Sequence, residues 1–349
     1  MQHGEEEALA IGHAFARIGL LGNPSDGYGG KVIGVPIRNF GVSLTIRPAA
    51  SVTISSGGMD FCAADLEAAL SGTLPPDVVG LERLVLAALR RFAAPNFGTK
   101  GQPPDDEALA GGSPMIGTAR HRGLALECKT TIPRQVGMAG SSATIIATLR
   151  ALGRLFHVSI EPFDMAEMAL ATEVEDLGIA AGPMDRVIQS YEQVMLMDFS
   201  GTRTESSYET FAAELLPPLL LAWTPSTGRS SGVTHSDLRA RWERGDRDVV
   251  HAMAELCNVV DAGVAALRSG DVEAFSDAVD RNYELRLSVT DVTEIDARLV
   301  QLAQDHGAAA KLCGSGGGVV VVPRRDTDVA ALEASFTRAG FLTCRPLVS

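Results

Sequence analysis

The chain is short of several things, and each shortage removes a class of function. Its 349 residues include only five cysteines, Cys62, Cys128, Cys257, Cys313 and Cys344. The number is odd and the positions are scattered. No two fall at the spacing of a metal site or redox pair, so free thiols of a reducing compartment are expected. Basic charge is scarce too: 30 lysines and arginines stand against 43 acids, a net charge of −13. That balance argues against a nucleic-acid surface or an anionic membrane as partner. A nucleotide held at one local site stays compatible with it. No run approaches the roughly 20 apolar residues needed to span a bilayer. The start, MQHGEEEALA, lacks the basic region and apolar run of a secretory leader. The expectation is a soluble cytoplasmic protein. No repeat of fixed period occurs, and no G-x-x-x-x-G-K-[ST] phosphate loop.

What is present is ordinary for a globular protein, with 46% hydrophobic and 21% charged residues. FARIGLLG (Phe15–Gly22) reads as a strand running into the turn NPSDGYGG, and KVIGVPI, VSLTIRP and ASVTISS continue with β patterns. Leu81–Phe92 has apolar residues at helical spacing. Residues 98–117 are rich in Gly, Pro and Asp and read as a surface loop within the first domain. LALECKTTIP is a strand that feeds PRQVGMAGSSATIIATL (Pro133–Leu149), a small-residue turn opening into a helix with Ala143, Ile146, Leu149 and Leu152 on one face. A second helix starts at Pro162 and runs to about Leu177. After Pro217–Pro218 come a strand, LLLAW, several helices (Val249, Met253, Leu256, Val260, Val264 and Leu267 fall three or four apart), and AAAKLCGSGGGVVVVP, which reads strand, glycine loop, strand. A last helix, about Asp326–Ala339, and a strand close the chain. The predicted architecture is α+β with two domains meeting near 200–217.

Four stretches carry candidate chemistry. A helix N-terminus has unpaired N–H groups and about +0.5 charge, and small residues ahead of it let an anion reach the backbone. Ser141 and Ser142 therefore mark either a phosphate site or a plain helix cap. In TEVEDLGIAAGPMDR (Thr172–Arg186), Asp185 follows a glycine turn. Glu173 shares a helix face with Ala166, Ala169, Leu170 and Leu177 and should point inward, whereas Glu175 should be solvated. An inward carboxylate needs a partner or a metal. The alternative is a surface acidic cluster. GSGGG (Gly314–Gly318), between two apolar strands, reads by itself as a flexible hairpin turn. Arg17 and Asp26 flank the first turn, each with a structural reading of its own.

Together the four resemble the kinase superfamily of galactokinase, homoserine kinase, mevalonate kinase and phosphomevalonate kinase. Its central Pro-x-x-x-Gly-x-Gly-Ser-Ser-Ala loop corresponds to Pro133, Gly137, Met138, Ala139, Gly140, Ser141, Ser142 and Ala143, with one extra residue in the turn, Ala139 or Gly140. KLCGSGGG (Lys311–Gly318) is similar to its third motif. Within the superfamily the strings RIGLLGNPSD, NF (Asn39–Phe40), IPRQVGMAGSSA, EDLGIAAGPMDRV, MDFS, VTHSDLRARWERGD and NVVDAG resemble plant-type glucuronokinases. The galactokinase turn Gly-Glu-His-x-Asp is absent.

The resemblance implies an N-terminal nucleotide-binding domain over 14–205 and a C-terminal, ferredoxin-like domain over 206–349. It implies that Asp185 acts as base or orients the acceptor hydroxyl, and that Arg17 stabilises charge at the transferred phosphoryl. Residues 137–143 would wrap the phosphates of ATP, Ser142 and Glu173 would hold Mg²⁺, and Asp26 would bind sugar hydroxyls. Gly314, Ser315 and Gly316 would shape the site. The implied reaction is phosphoryl transfer to the C1 hydroxyl of a sugar or sugar acid, D-glucuronate first, with a neutral hexose, a heptose or galacturonate as alternatives. A substrate carboxylate asks for a cation; Lys31, Arg134, Arg186 and Arg286 are the candidates, with Arg134 and Arg186 taken as substrate-binding. The expected assembly is a monomer or homodimer. A rival from another class is a serine hydrolase using Ser230 in GRSSG with Asp291 or Asp296 and His306, although LLLAW ends too early for a nucleophile elbow. A non-catalytic nucleotide binder is a third, disfavoured because Asp185, Glu173, Ser142 and Arg17 are all present.

Overall fold

Two long strands open the chain. β1 (Ala10–Leu21) begins earlier than FARIGLL, and β2 (Lys31–Ala49) fuses two predicted strands because Asn39-Phe40-Gly41 stays extended between them. The structure, a computed structural model, describes residues 8–57, 60–97, 123–201, 207–225 and 231–348. The predicted loop 98–117 and Ser230 lie outside the described residues. β3 (Val52–Ser55), β4 (Phe61–Ala63), α1 (Leu66–Leu70), α2 (Gly80–Phe97) and β5 (Gly123–Thr130) follow. Then come α3 (Gly140–Phe156), α4 (Pro162–Ala171) with a π-helical turn at Thr172–Asp176, α5 (Met184–Tyr191), β6 (Met195–Asp198) and β7 (Ser207–Thr210). The last part holds β8 (Leu220–Trp223), α6 (Ser231–Glu243), α7 (Arg247–Ser269), α8 (Val272–Leu287) and α9 (Glu294–Asp305), then β9 (Ala308–Leu312), β10 (Gly318–Pro323), α10 (Val329–Arg338) and β11 (Leu342–Cys344). All five cysteines are free thiols.

The chain divides into two compact units. The first takes its described residues from Met1–Phe15, Gly41–Thr131 and Gly140–Ile179, the second from Ala16–Phe40, Ile132–Ala139 and Ala180–Ser349. In the first, the C-terminal half of β2 pairs antiparallel with β5, Val42 opposite Thr130 and Ala49 opposite Gly123, and β3 pairs parallel with β5 and antiparallel with β4. α2 packs on α3, where the Phe92 and Phe156 rings stack at 5.9 Å. Every residue of α3 from Ser142 to Leu149 is buried. Alanines at 143 and 147 keep the helix slim enough for neighbours to close on it.

In the second unit, Lys31–Gly34 of β2 pair antiparallel with β6, and β6 with β7. A separate antiparallel sheet has the order β11-β8-β10-β9. Numbered within that sheet the order is 4-1-3-2, with helices between the first and second strands and α10 between the third and fourth, so the ferredoxin-like expectation is met. Leu220, Ala222, Val319 and Val321 face Leu299, Ala303, Leu332 and Phe336 in one apolar core. α7 is long and apolar enough, by length and composition alone, to cross a membrane, which the sequence reading did not anticipate. Half of that stretch is buried, and Val249, Met253, Leu256, Val260, Val264 and Leu267 form its inner face, so core packing accounts for its apolarity.

Candidate active site

β5 ends at Thr130, and the loop that follows has an alternating backbone. Gln135, Gly137 and Ala139 adopt φ of 57°, 72° and 59°, with Val136 and Met138 at negative φ between them. Alternation of this kind turns successive N–H groups toward one side and makes an anion-binding concavity. For Gln135 and Ala139 the left-handed conformation costs about 1–3 kcal/mol each, a cost that other contacts must offset. Within the second unit those contacts are visible: Gln189 Nε2 donates to Ala139 O at 3.0 Å, and Arg17 Nη1 donates to Gly137 O at 2.6 Å. The extra residue of the turn is therefore absorbed by a left-handed Ala139, directly before α3 starts at Gly140.

Arg17 comes from the middle of β1 and is buried. Its guanidinium grips Asp185, in the first turn of α5, through two parallel bonds, Nε to Oδ1 and Nη2 to Oδ2, each 2.5 Å. A fork of this geometry fixes the orientation of the carboxylate. Asp185 keeps 17% of its side chain exposed, so a ligand hydroxyl can still reach it. Asp26 lies beside this pair. Its Oδ2 accepts from Met184 N at 3.3 Å, and a side chain at Gly182 would meet that oxygen at 2.2 Å, which explains the glycine before Pro183. Burial pushes the Asp26 carboxyl up to about 6, Asp185 adding to the effect, while the Met184 N–H, Arg17 and Arg186 oppose it. Arg186 is buried, donates to Gly182 O at 2.7 Å and lies 3.5 Å from Asp185 Oδ2. Burial lowers its pKa to about 9, Arg17 adding to that, so it still carries its charge at neutral pH.

The glycine hairpin between β9 and β10 is built for close approach and not for flexibility alone. Side chains at Gly314 and Gly317 would sit 2.5 Å from Gly137 O and 2.6 Å from Gln135 O, so the hairpin lies directly on the 133–139 loop. Arg286 and Asp296 hold it: Arg286 Nη1 donates to Gly314 O at 2.7 Å, and Asp296 Oδ1 accepts from Gly317 N at 2.6 Å. Asp296, one of the two acids the hydrolase reading offered, also accepts from Thr293 Oγ1 at 2.8 Å in the capping box of α9. Lys311, wholly buried on β9, donates to Gly19 O, Asn23 Oδ1 and Leu312 O at 2.9, 2.5 and 3.0 Å. Burial, with Arg286 and Arg17 near, brings its pKa down to about 7. Asn282 completes the network by accepting from Gly22 N at 2.6 Å. This cage fixes the turn that carries Asp26.

In the first unit the chemistry is simpler. The π-helical turn after α4 buries Glu173 completely, and Ser141 Oγ donates to Glu173 Oε1 at 2.7 Å. Ser142 is fully buried in the first turn of α3. Glu175 points out, as its helix face predicts, and pairs with Arg91 at 2.9 Å. Arg91 also forks onto Asp176, at 2.7 and 2.6 Å, and so pins the turn. The donors here are hard oxygens, a carboxylate and hydroxyls at a helix start. Among the described residues no three His, Cys, Asp or Glu side chains form a metal cluster. One carboxylate plus a hydroxyl, completed by ligand phosphates, is a set that suits Mg²⁺.

The second unit thus brings together Arg17, Asp26, Asp185, Arg186, Gly137 and the 314–316 hairpin, and the first holds Ser141, Ser142, Ala143 and Glu173. Arg134 is exposed. Sequence reasoning missed Gln189, Asn282, Lys311 as an anchor, and Arg91. Only Lys311 had a signal, its place before the glycine run.

Comparison with known proteins identifies relatives along nearly the whole chain. The chain matches the model of the GHMP kinases N terminal domain over residues 108–193 and that of the GHMP kinases C terminal over 264–341. It is 33% identical to the probable glucuronokinase 2 of Arabidopsis thaliana over 353 residues, covering 97% of this chain and 91% of that one. Against glucuronokinase 1 of the same plant it is 31% identical over 360 residues, covering 99% and 93%. Among solved structures, the mevalonate kinase of Methanococcus jannaschii superposes with a TM-score of 0.73 at 16% identity, covering 99% of this chain and all of that one.

Proposed function

The chain belongs to the GHMP kinase family of ATP-dependent phosphotransferases that act on small molecules, and from that premise we propose that it transfers the γ-phosphoryl of ATP to the C1 hydroxyl of D-glucuronate. The observation that carries the reading is the Arg17–Asp185 fork with Asp26 beside it. It provides an oriented carboxylate with an accessible edge and a second acid for hydroxyl recognition. Asp185 takes the proton of the acceptor hydroxyl or aligns that hydroxyl for attack, at typical hydrogen-bond reach. Arg17 holds Asp185 in the productive rotamer and brings positive charge to the place where the phosphoryl is transferred. Asp26 accepts from sugar hydroxyls. In the second unit the 133–139 concavity, braced by the glycine hairpin, is suited to nucleotide phosphates, and in the first unit the N–H groups that open α3, from Gly140 to Ala143, are suited to an anion. Ser142 and Glu173 would hold Mg²⁺, with Ser141 orienting the Glu173 carboxylate; when bound, the ion offsets the negative charge of the phosphates. Catalysis of this kind rests on positioning and electrostatics.

The test is ADP release from Mg-ATP with glucuronate, galacturonate, glucose, galactose, fucose, a heptose, mevalonate and homoserine as acceptors. The proposal expects turnover on glucuronate that Asp185→Asn abolishes. Turnover confined to a neutral sugar refutes the acceptor and keeps the kinase.

A further inference from the structure

The proposed acceptor carries a carboxylate, and the four cations named from the sequence turn out to be poorly placed for it. Lys31 is paired with Asp261 at 2.9 and 3.0 Å. Arg286 is spent on the Gly314 and Ser315 carbonyls. Arg186 is engaged with Gly182 O and lies against Asp185. Arg134 makes no polar contact with the Asp26 cluster among the described residues.

A fifth cation has the features these lack. Arg239, on α6 in the second unit, is exposed, and its guanidinium carbon lies 5.0 Å from the centroid of the Tyr28 ring. Tyr28 closes the short helical turn Ser25–Tyr28 that carries Asp26. The ring is backed in turn by Trp242, centroid to centroid 5.2 Å. A side chain at Gly27, the residue after Asp26, would lie 3.8 Å from Arg239 Nη2. The guanidinium is therefore seated at the edge of the Asp26 turn. Stacking on an aromatic face orients an arginine without using its N–H donors, and leaves the fork open for a carboxylate. Among the described residues Arg239 forms no ion pair; Asp26 and Glu243, one turn further along α6, are the acids that act with it on the Tyr28 hydroxyl.

We propose that Arg239, stacked on Tyr28 and backed by Trp242, binds the carboxylate of the sugar-acid substrate and sets the preference for an acid over a neutral sugar. The proposal rests on the glucuronate reading. In it Asp26 and Arg239 divide the ligand: Asp26 accepts from hydroxyls, and Arg239 donates two parallel bonds to the carboxylate. Tyr28 and Trp242 are positioning residues for the guanidinium.

The experiment is calorimetric binding of D-glucuronate and of its uncharged isostere D-glucuronamide to the full chain, wild type, Arg239→Gln and Arg239→Lys, beside turnover of glucuronate. Wild type should favour the acid. Arg239→Gln should cut the acid-to-amide preference by about 10- to 100-fold, the range for a hydrogen bond to a charged group, and Arg239→Lys should restore part of it. Amide binding retained by the variant shows that the fold survives. Wild-type turnover of glucuronate with an unchanged preference in Arg239→Gln overturns the role of Arg239 and keeps the substrate. Equal loss of both ligands also overturns it, since a structural role moves them together. A wild type that phosphorylates only neutral sugars overturns the substrate reading and this one with it.

Discussion

Two carboxylates, one in each unit, show how the same chemical group is prepared for different work. Asp185 stands at the start of a regular helix, α5, and is gripped by a guanidinium through two 2.5 Å bonds. Glu173 sits in a π-helical turn, is completely buried, and receives a hydroxyl from Ser141 at 2.7 Å. A guanidinium fork fixes the direction of the Asp185 carboxylate, as the proposed contact with an acceptor hydroxyl requires. The Ser141 hydroxyl orients the Glu173 carboxylate, as the proposed cation-holding role requires. Irregular π turns recur at functional positions, and here the turn keeps Glu173 on the inward face that regular helical spacing predicts. In the proposed roles it is the partner, more than the acid, that distinguishes the two carboxylates.

The strongest way to break this comparison is to neutralise each acid in turn. Asp185→Asn should lower kcat by about 10²- to 10⁴-fold, the range of a positioned acid or base, with ATP affinity from nucleotide titration nearly unchanged. A loss of ATP affinity to match would move Asp185 out of the acceptor side of the reaction. Glu173→Gln should act on the metal: the Mg²⁺ concentration for half activity should rise by about 10- to 100-fold, and Mn²⁺ binding followed by paramagnetic resonance in the presence of ADP should weaken in parallel. If Asp185→Asn shifts the metal requirement and Glu173→Gln does not, the two roles are reversed.

Much of this arrangement could be read from the chain, for reasons that differ between elements. The burial of Glu173 and exposure of Glu175 followed from helical spacing alone. The β9–β10 hairpin was evident because AAAKL and GVVVVP are uninterrupted apolar runs on either side of glycine. The flexible-hairpin alternative for the glycine run had no local contrary signal, since nothing in the sequence reveals that Gly314 and Gly317 lie against the backbone of residues 135–137. β1 and β2 proved longer than predicted because pairing along their length overrides the weak signals of Gly12, Asn39 and Gly41. Gln189 and Asn282 had no local signal at all. They are polar residues on otherwise ordinary helices, and their meaning lies in partners about 50 and 260 residues away. Arg239 was overlooked for the same reason, its partner Tyr28 being distant in sequence.

A third acid sharpens the contrast at smaller amplitude. Asp26 is neither forked by arginine nor held by a hydroxyl, and burial with Asp185 nearby raises its pKa from 3.8 to about 6. Only the ionised form is a pure acceptor for sugar hydroxyls, so KM for the acceptor should rise as pH falls below about 6. Asp26→Asn should flatten that limb while raising KM throughout. Stability should move the opposite way. Between pH 3.8 and about 6 the folded state holds the proton more tightly than the unfolded chain, so folding is favoured at the acid end of this window. That increment is lost as pH rises through about 6, and Asp26→Asn should remove this part of the pH dependence of Tm. A KM independent of pH between 5 and 7 in wild type would show that Asp26 does not contact the acceptor.

The smallest effect belongs to a pair with the same charges as Arg17–Asp185 and none of its setting. Lys31 and Asp261 meet at 2.9 Å in the second unit, but their side chains are 32% and 58% exposed. The hydrogen bond to Asp261 raises the Lys31 pKa, with partial burial acting against it. In water-facing surroundings the Coulomb gain is screened and two long side chains must be held still, so such a pair contributes about 0–1 kcal/mol. Lys31→Met should therefore shift the urea midpoint only slightly, and the shift should vanish in about 1 M salt, where screening reaches a few ångströms. Acceptor KM should stay within about twofold, because Lys31 is already committed to Asp261 and Arg239 is the cation assigned to the substrate. A large rise in KM for glucuronate in Lys31→Met, with none in Arg239→Gln, would transfer the carboxylate to Lys31. It would also mean that exposure and an existing partner are poor guides to which cation a ligand can recruit.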